Sequence, residues 1–302
     1  MGQMINGQWI KTDQLTDHKG EFQRTLSAFQ GRLTETSSPL DSYLLIGSKA
    51  CPWAHRVILA VKLQGFNELE IHYAPPELGE EGWCTPESLR GPLKSTWIHE
   101  LYQRSHPRYT GRVTLPLLWD REHNRIISND SGELLTHFVY TLRRKSVPIE
   151  PHHSANLIQE VDSTLIEEMH TWQYWITSHI NNGPYRAIFA EHQSTYESNI
   201  LRFFSALDVV EDRLNTREFF MGDQLTLCDL MLFPTLYRME IAYQKYLKCT
   251  FKSLSDYPAL LRYTERLKEH PIFAETLSPE EIDIHYGRSV PKKDHHELIY
   301  RG

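Results

Sequence analysis

The chain has 302 residues, a length that suggests about two domains. Hydrophobic residues make up 40% of it and charged residues 24%, which is ordinary for a globular protein with a sizeable core. Its net charge of -7 argues against nucleic acids and anionic membranes as the main partners.

Two further features bear on the cellular location. No apolar run approaches the roughly 20 residues that cross a bilayer, and the first residues lack the basic and then apolar pattern of a secretory signal. The four cysteines are widely spaced and form no metal-like pair. We therefore expect a cytoplasmic protein with reduced thiols and with neither a membrane segment nor a metal site.

The first half of the chain predicts an α/β layer. Residues 1–40 are a polar extension whose few aromatic residues can pin it onto a domain: Trp9, Phe22 and Phe29. YLLIG (43–47) predicts a buried strand, and LEIHY (69–73) predicts the next one. Between them, apolar residues at helical spacing predict a helix that follows Cys51: Ala54, Val57, Ile58 and Val61.

The following segment, residues 74–112, is rich in proline, glycine and charge and predicts a long surface loop. VTLPLLWD (113–120) and NRIIS (124–128) then predict paired strands. SGELLTHFVYTL (131–142) predicts a helix capped by Ser131. The resulting order of strand, helix, strand, loop, hairpin and helix indicates a mixed sheet covered by helices.

The second half changes to helical periodicity. SVPIEPHHS (146–154) is the expected linker. Two long runs of apolar residues at helical spacing follow it. The first begins with Ile158, Val161 and Leu165, and the second begins with Ile200 and Phe203. Capping boxes are predicted at Ser194–Glu197 and Thr226–Asp229, and Pro258 fits the first turn of a later helix. The predicted domains are therefore an extension (1–40), an α/β domain (41–150), an all-helical domain (151–275) and a tail (276–302).

Cys51 is the strongest candidate for a reactive group. It lies between a predicted strand and Pro52, and a proline fits the first position of a helix. Free backbone N–H groups and the helix dipole at such a position stabilise a thiolate, and His55 and Arg56 would add to that effect. The alternative is a small, inert, buried thiol. Because Ala54 stands where a dithiol motif has its second cysteine, a second thiol would have to come from elsewhere, most simply from a small molecule.

Two more sites fit the binding of a small peptide. Pro116 begins a predicted strand, and if its peptide bond is cis, Leu115 can offer its N–H and C=O to a bound peptide; an ordinary edge-strand proline is the equal alternative. Asp130 and Ser131 stand at a helix start, where they can bind the ammonium and carboxylate of an amino-acid head group. The alternative for this pair is plain helix capping.

Together these motifs resemble the Xi-class glutathione transferases, the glutathionyl-hydroquinone reductases. The resemblance extends from about residue 20 to about residue 290 and is carried by SKACPWAHR (48–56), VTLPLLWD, SNDS (128–131), NNGPYRAIFA (181–190), LTLCDL (225–230) and SDYP (255–258). It implies the glutathione transferase architecture, a thioredoxin-like N-terminal domain followed by an all-α domain, and a homodimer formed through the helical parts.

The resemblance also implies a reaction with glutathione as co-substrate. The cysteine, here Cys51, takes the glutathionyl group from a glutathionyl-hydroquinone, and a second glutathione releases oxidised glutathione from the mixed disulfide. Tyr185 and Tyr286 match tyrosines near the aromatic substrate, where a hydroxyl can donate a proton or stabilise the phenolic oxygen. The positions that match the glutathione site are Trp83, Arg112, Leu115, Asp130 and Ser131.

The chain also departs from the family pattern. Asp130 replaces the usual glutamate, the residues Arg238, Met239 and Glu240 stand where the family tends to have Arg-Phe-Asp, and Tyr243 approximates a third family tyrosine. The part after HYG (285–287) is reduced. Two alternatives stay open: a broader thioltransferase or β-etherase-like enzyme, and a non-catalytic module that binds glutathione and docks a partner through its helical domain.

Overall fold

A computed structural model describes residues 2–11, 16–23, 26–34, 37–141, 163–290 and 293–298. The chain divides into two compact units: the first is built from Met1–Gln14, Arg24–Lys145 and Ser278–Ser289, and the second from Leu15–Gln23, Ser146–Leu277 and Val290–Gly302. The expected linker at 146–154 lies outside the described residues, as do Ile158 and Val161.

The first unit contains eight strands and four helices in its continuous N-terminal part, counted over the described residues. The strands are β1 (Gln3–Ile5), β2 (Gln8–Ile10), β3 (Tyr43–Gly47), β4 (Glu70–Tyr73), β5 (Leu78–Gly79), β6 (Gly82–Trp83), β7 (Leu117–Asp120) and β8 (Arg125–Ser128). The helices are α1 (Pro52–Leu63), α2 (Glu87–Leu93), α3 (Ile98–Ser105) and α4 (Ser131–Thr136).

Four of these strands form the mixed sheet that the sequence predicts. Their order is β4-β3-β7-β8, with β3 parallel to β4 and β7 antiparallel to both of its neighbours. All five residues of β3 are buried, in keeping with its uninterrupted apolar sequence. The sheet therefore places the end of β3 and the start of β7 side by side, and these are the points from which Cys51 and Leu115 are positioned.

The prediction of a long surface loop at 74–112 is wrong. This segment holds the hairpin β5–β6 and the helices α2 and α3. In α3, Ile98, Leu101 and Tyr102 lie on one face and are wholly buried. The high content of proline, glycine and charge conceals this spacing, because the helices are short and Pro92 lies inside α2.

The cap of α4 differs from the prediction by one residue. Asp130, not Ser131, is the N-cap: its backbone is extended, and its carboxylate accepts hydrogen bonds from the N–H groups of Gly132 and Glu133. An aspartate is at least as good a cap as a serine, so local sequence alone does not separate the two. The helix continues in π-helical turns over His137–Thr141.

The regular elements of the second unit, within the described residues, are helices. They are α5 (Ser163–Trp175), α6 (Gly183–Ile188), α7 (Gln193–Leu214), α8 (Leu227–Arg238), α9 (Gln244–Leu247), α10 (Pro258–Glu269) and α11 (Pro271–Ala274). π-helical turns extend α5 over Ile176–Asn181 and α8 over Met239–Tyr243. The predicted all-helical region is thus present, and Pro258 does begin α10.

One of the two predicted capping boxes is confirmed. Thr226 and Asp229 form it at the start of α8, where Asp229 is fully buried and accepts hydrogen bonds from the Thr226 N–H and hydroxyl. The Ser194–Glu197 box is wrong, because α7 begins at Gln193 with His192 as its N-cap. Glu197 instead accepts a hydrogen bond from the Gln193 side chain at 2.9 Å.

Both ends of the chain supply residues to these units. Near the N-terminus, the three aromatic residues pack as expected: Trp9 stacks on His99, Phe22 on Phe189 and Phe29 against Tyr102. Near the C-terminus, the helix α12 (Pro279–Ser289) belongs to the first unit. The predicted domain limits, including the extension 1–40 and the tail 276–302, remain an interpretation of the sequence. None of the described helices has the length and apolar content that a membrane crossing needs.

Candidate functional site

Cys51 stands at the N-cap of α1, directly after the loop that leaves β3. Pro52 occupies the first helical position, so the helix begins as the sequence predicts. Cys51 is 7% exposed, and its Sγ donates a hydrogen bond to the Leu115 carbonyl at 3.5 Å. The thiolate form would face the free N–H groups of the first turn of α1, an environment that stabilises negative charge.

Leu115 lies on the loop before β7, beside Cys51. The Leu115–Pro116 peptide bond is cis, which is one of the two alternatives that the sequence leaves open. Within the described part of the chain, the Leu115 N–H donates to no backbone or side-chain acceptor. A backbone donor and a carbonyl next to a thiol are thus available for strand-like pairing with a peptide.

A buried network holds the residue before Leu115. The Tyr102 hydroxyl donates to the Thr114 carbonyl at 2.8 Å and accepts from the Thr114 N–H at 3.1 Å. Asn129 donates to the Tyr102 hydroxyl and to Thr114 Oγ1 at 3.0 and 3.1 Å. Burial raises the pKa of Tyr102, so the hydroxyl keeps its proton and its role as a donor. The network fixes the loop that presents Leu115 and was not found from the sequence.

Arg56 connects the start of α4 to α1. Arg56 lies one turn beyond Cys51 and is 5% exposed, and its Nη2 donates to Ser131 Oγ at 2.7 Å. It also lies over the Trp53 ring at 4.8 Å. The sequence singled out Arg56 only as a charge near the thiol, whereas in the structure it also orients the Ser131 hydroxyl.

The geometry of Asp130 is compatible with both of its predicted roles, helix capping and binding of a ligand head group. One carboxylate oxygen caps α4, and the other accepts a hydrogen bond from the Gln30 side chain at 3.2 Å. Since Asp130 is half-buried, its carboxylate can still accept a hydrogen bond from a ligand ammonium. Capping and ligand binding are therefore compatible at this residue.

Trp83 and Tyr286 both contact one residue that the sequence did not indicate. Trp83 lies in β6 and stacks face to face on His285, with ring centroids 5.2 Å apart and an interplanar angle of 6°. Tyr286 lies in α12 and meets the same imidazole edge-on at 5.1 Å. Arg112 precedes the Leu115 loop, and its carbonyl accepts a hydrogen bond from the Tyr109 hydroxyl at 2.8 Å.

In the second unit, Tyr185 lies on α6 within an aromatic group. It is half-buried, and its ring packs against Phe189 at 6.5 Å and against Tyr243 at 6.1 Å. The weakly matched Tyr243 is therefore a neighbour of Tyr185. Gly183 opens α6, where a Cβ would lie 2.4 Å from the Phe203 ring, so the NNGPYRAIFA motif needs a glycine for close helix packing.

The structure thus brings several predicted residues together in the first unit. Hydrogen bonds join Cys51 to Leu115 and, through Arg56, connect the same helix to Ser131 beside Asp130. Within the described ranges, no three histidine, cysteine or acidic side chains are grouped in a way that could hold a metal ion. The arrangement fits a nucleophilic thiol beside a polar peptide-binding surface.

Comparison with known proteins agrees with this geometry. The sequence-family model for the glutathione S-transferase C-terminal domain matches residues 193–266. The glutathionyl-hydroquinone reductase YqjG of Escherichia coli is 33% identical over 96% of this chain and 91% of its own length. The glutathionyl-hydroquinone reductase PcpF of Sphingobium chlorophenolicum is also 33% identical, over 96% of this chain and 93% of its own.

Solved structures give the same result for the fold. The Xi-class glutathione transferase from Natrialba magadii superposes with a TM-score of 0.82 at 27% identity, covering 98% of this chain and 94% of that chain. The glutathione-bound structure of YqjG superposes with a TM-score of 0.77 at 30% identity, covering 95% and 91%. The predicted fold, a thioredoxin-like domain with an all-α domain, is confirmed.

Proposed function

The chain belongs to the glutathionyl-hydroquinone reductases, the Xi class of glutathione transferases, and on this premise we propose that it reduces glutathionyl-hydroquinones with glutathione through Cys51. The observation that carries the proposal is the position of the Cys51 thiol at the start of α1, 3.5 Å from the Leu115 carbonyl. A thiolate there is stabilised by the helix and lies beside a backbone suited to a peptide.

The first step transfers the glutathionyl group to the protein. The Cys51 thiolate attacks the sulfur of the glutathionyl-hydroquinone, a disulfide bond forms, and the bond between that sulfur and the aromatic carbon breaks. The carbon receives the electron pair and a proton, so the aromatic product is reduced while the two sulfurs are oxidised. In our proposal Tyr185 and Tyr286 supply the proton and stabilise the phenolic oxygen.

The second step regenerates the thiol. The thiolate of a second glutathione attacks the mixed disulfide, and oxidised glutathione leaves. Because Ala54 occupies the position of a resolving cysteine, the protein has no thiol at that point to compete. The glutathione peptide would pair with Leu115, its head group would contact Asp130 and Ser131, and Arg112 and Trp83 would complete the binding site.

The proposal is tested by following hydroquinone release from a glutathionyl-naphthohydroquinone in the presence of glutathione. We expect Cys51→Ser to lose essentially all turnover, because a serine hydroxyl cannot form the mixed disulfide. Without free glutathione, the wild-type protein should gain one glutathionyl group at Cys51 by mass spectrometry. Cys84→Ser is the matched control, since Cys84 is the one cysteine of the four that is not buried.

Full turnover by the Cys51→Ser variant would show that the mechanism is wrong. Reduction of small mixed disulfides, or cleavage of aryl ethers, without hydroquinone release would instead support the broader thioltransferase or β-etherase-like activity. Glutathione binding without any turnover would support a non-catalytic module.

We also propose that the protein acts in the cytoplasm as a homodimer. All four cysteines are free thiols, as expected in a reducing compartment. Three of the exposed large hydrophobic residues in the described chain lie on α5 and α7: Tyr174, Leu201 and Val209. Leu201 and Val209 line a groove of about 610 Å³ that runs between α7 and the segment around α6. A twofold interface uses one patch on both copies, and this groove is the patch that we assign to it.

The dimer is tested by light scattering after size-exclusion chromatography. We expect a dimer for the wild type and a monomer for the double variant Leu201→Glu and Val209→Glu, because two buried carboxylates per subunit cannot be accommodated in an apolar interface. Leu26→Glu, at another exposed leucine, should leave the dimer intact. A monomeric wild type, or a double variant that stays dimeric, would contradict the assignment.

A further inference from the structure

His285 is held by contacts on several sides. Its Nδ1 lies 2.6 Å from the Pro76 carbonyl, and because a carbonyl only accepts, the nitrogen must donate. One ring face covers Trp83 and the ring also meets Tyr286. The hydrogen bond therefore fixes the tautomer and the plane of an imidazole that touches two residues of the proposed site.

The helix around His285 is tied to the same segment of the first unit. The Leu78 N–H donates to Ser289 Oγ at 2.9 Å, and Arg288 pairs with Glu77. At the other end of α12, Glu281 lies 3.6 Å from the ammonium of Lys49, two residues before Cys51. These contacts fix the position of α12 relative to the segment that leads to Trp83.

Because Trp83 is nearly buried, the orientation of its ring decides whether it can contact a bound glutathione. Only 6% of its surface is exposed, and His285 covers one face of the indole. A bound glutathione can therefore contact only the small part of Trp83 that stays exposed, and a rotation of the indole would change that contact. The stacked imidazole opposes such a rotation.

Tyr286 is still more buried, at 1% exposed. A substrate reaches its hydroxyl only if neighbouring side chains move, and the edge of the His285 ring is one of its neighbours. The position of His285 thus bears on both the glutathione side and the aromatic side of the reaction.

We propose that His285 is a positioning residue that holds Trp83 against glutathione and Tyr286 toward the aromatic substrate. This inference rests on the function proposed above and extends it to a residue that does not itself touch the reacting atoms. The two contributions of His285 are separable, because the stack belongs to the ring and the hydrogen bond belongs to Nδ1.

Three substitutions separate these contributions. His285→Phe keeps a ring on Trp83 without the donor, His285→Asn keeps a donor near the Pro76 carbonyl without the ring, and His285→Ala removes both. We expect the Kd for S-methylglutathione, measured by calorimetry, to rise about threefold in each of the first two variants and about tenfold in His285→Ala. In the absence of free glutathione, the single-turnover rate of hydroquinone release should fall in the same order.

The route of the effect is tested by double variants. In a Trp83→Ala background, His285→Ala should leave the Kd for S-methylglutathione unchanged, and in a Tyr286→Phe background it should leave the single-turnover rate at saturating substrate unchanged. A merely structural role would instead lower stability and add to the effects of Trp83→Ala and Tyr286→Phe.

His295 provides the matched control. It also stacks on an aromatic ring, that of Tyr196 at 4.7 Å, and also donates from a ring nitrogen to a backbone carbonyl, that of Ala190 at 3.0 Å, but it lies in the second unit. His295→Phe and His295→Asn should lower the melting temperature without changing the Kd or the single-turnover rate.

The inference is overturned if His285→Ala binds S-methylglutathione as the wild type does, if its effect adds to that of Trp83→Ala, or if the His295 variants change the Kd equally. Failure of the proposed function is a separate result: the wild type would then release no hydroquinone, while the coupling of His285 and Trp83 would still be measured in the binding of S-methylglutathione.

Discussion

At the scale of single residues, small local contacts decide how the proposed site is built. The Cys51 N–H donates to the Ser48 carbonyl at 3.0 Å and the Cys51 carbonyl accepts from the His55 N–H at 3.0 Å, so the backbone of Cys51 is fixed from both sides. The same residue combines a helix start with an adjacent carbonyl on Leu115. This fixed backbone geometry supports the role that we propose for Cys51.

Gly183 gives a prediction at this scale. Because a Cβ at Gly183 would lie 2.4 Å from the Phe203 ring, Gly183→Ala forces α6 and α7 apart. We expect the free energy of unfolding to fall by about 1–3 kcal/mol, the usual cost of overpacking. Urea denaturation measures this change.

The control for Gly183 is Gly79, where a Cβ would meet no atom within 4 Å. Gly79→Ala should change the free energy of unfolding by no more than about 0.5 kcal/mol. Equal effects of the two substitutions would show that close packing is not the reason for the glycine in the NNGPYRAIFA motif.

At the scale of elements, two similar capping motifs show why position matters. Thr226–Asp229 and Ser253–Asp256 have the same spacing and form the same paired hydrogen bonds. Asp229 is fully buried, where it also accepts from the Phe220 N–H and the Tyr263 hydroxyl, so burial and several donors act on it together. Asp256 is exposed, and hydrogen bonds from Ser253 lower its pKa. The sequence predicts the first motif without revealing that it lies in the core.

The helix α4 and its π-helical continuation carry a buried histidine without a hydrogen bond. His137 is 3% exposed, and neither of its ring nitrogens has a hydrogen-bond partner in the described chain. Burial lowers its pKa, the charge of Arg32 acts in the same direction, and Glu133 opposes them. His137 is therefore neutral in the folded protein at a pH where the unfolded chain would begin to bind a proton.

A pH dependence of stability follows from this imidazole. Between the lowered folded pKa and the unfolded value of about 6.5, the unfolded chain binds more protons at this residue, so the free energy of unfolding decreases as the pH falls. His137→Leu removes that proton uptake and two unsatisfied nitrogens. We expect the variant to be more stable by about 1 kcal/mol at neutral pH, and to lose less stability than the wild type between pH 7 and pH 5.

The measurement is a series of urea melts across that pH range. The exposed His106 supplies the control, since His106→Leu should leave the pH dependence of the wild type unchanged. A His137→Leu variant with the same slope as the wild type below pH 6.5 would contradict the assignment of this slope to His137.

At the scale of the whole molecule, the features that the sequence predicts differ physically from those that it misses. The predicted features depend on neighbouring residues, and the missed ones join distant parts of the chain. The start of α1 at Cys51 and the pairing of β7 with β8 depend on neighbouring residues, so the local pattern is sufficient. The network of Tyr102, Thr114 and Asn129 and the stack of Trp83 on His285 join residues far apart in the chain, and no local spacing encodes them. The roles of the tyrosines came from the family resemblance and remain proposals.

The order of residues along the chain also does not match their division between the two units. Residues Ser278–Ser289 return to the first unit after the helices of the second, and residues 293–298 belong to the second unit. The last part of the chain thus supplies one unit with α12 and the other with contacts such as the bond from Lys248 Nζ to the His295 carbonyl at 2.7 Å. Two truncations should therefore separate these contributions: an end at residue 290 removes only the part that belongs to the second unit, whereas an end at residue 277 removes the parts of both units.

A chain that ends at residue 277 loses α12, with His285 and Tyr286, and a chain that ends at residue 290 keeps them. We expect the shorter chain to bind S-methylglutathione at least tenfold more weakly, while the helical circular dichroism of the second unit is largely retained. The chain ending at 290 should bind with wild-type affinity but melt at a lower temperature, because it lacks the His295 contacts with Tyr196 and Ala190. Wild-type affinity in the shorter chain would show that α12 is not needed to hold the residues that we propose to contact glutathione. Equal loss of affinity in both truncations would show instead that the two units respond as one to loss of the chain end.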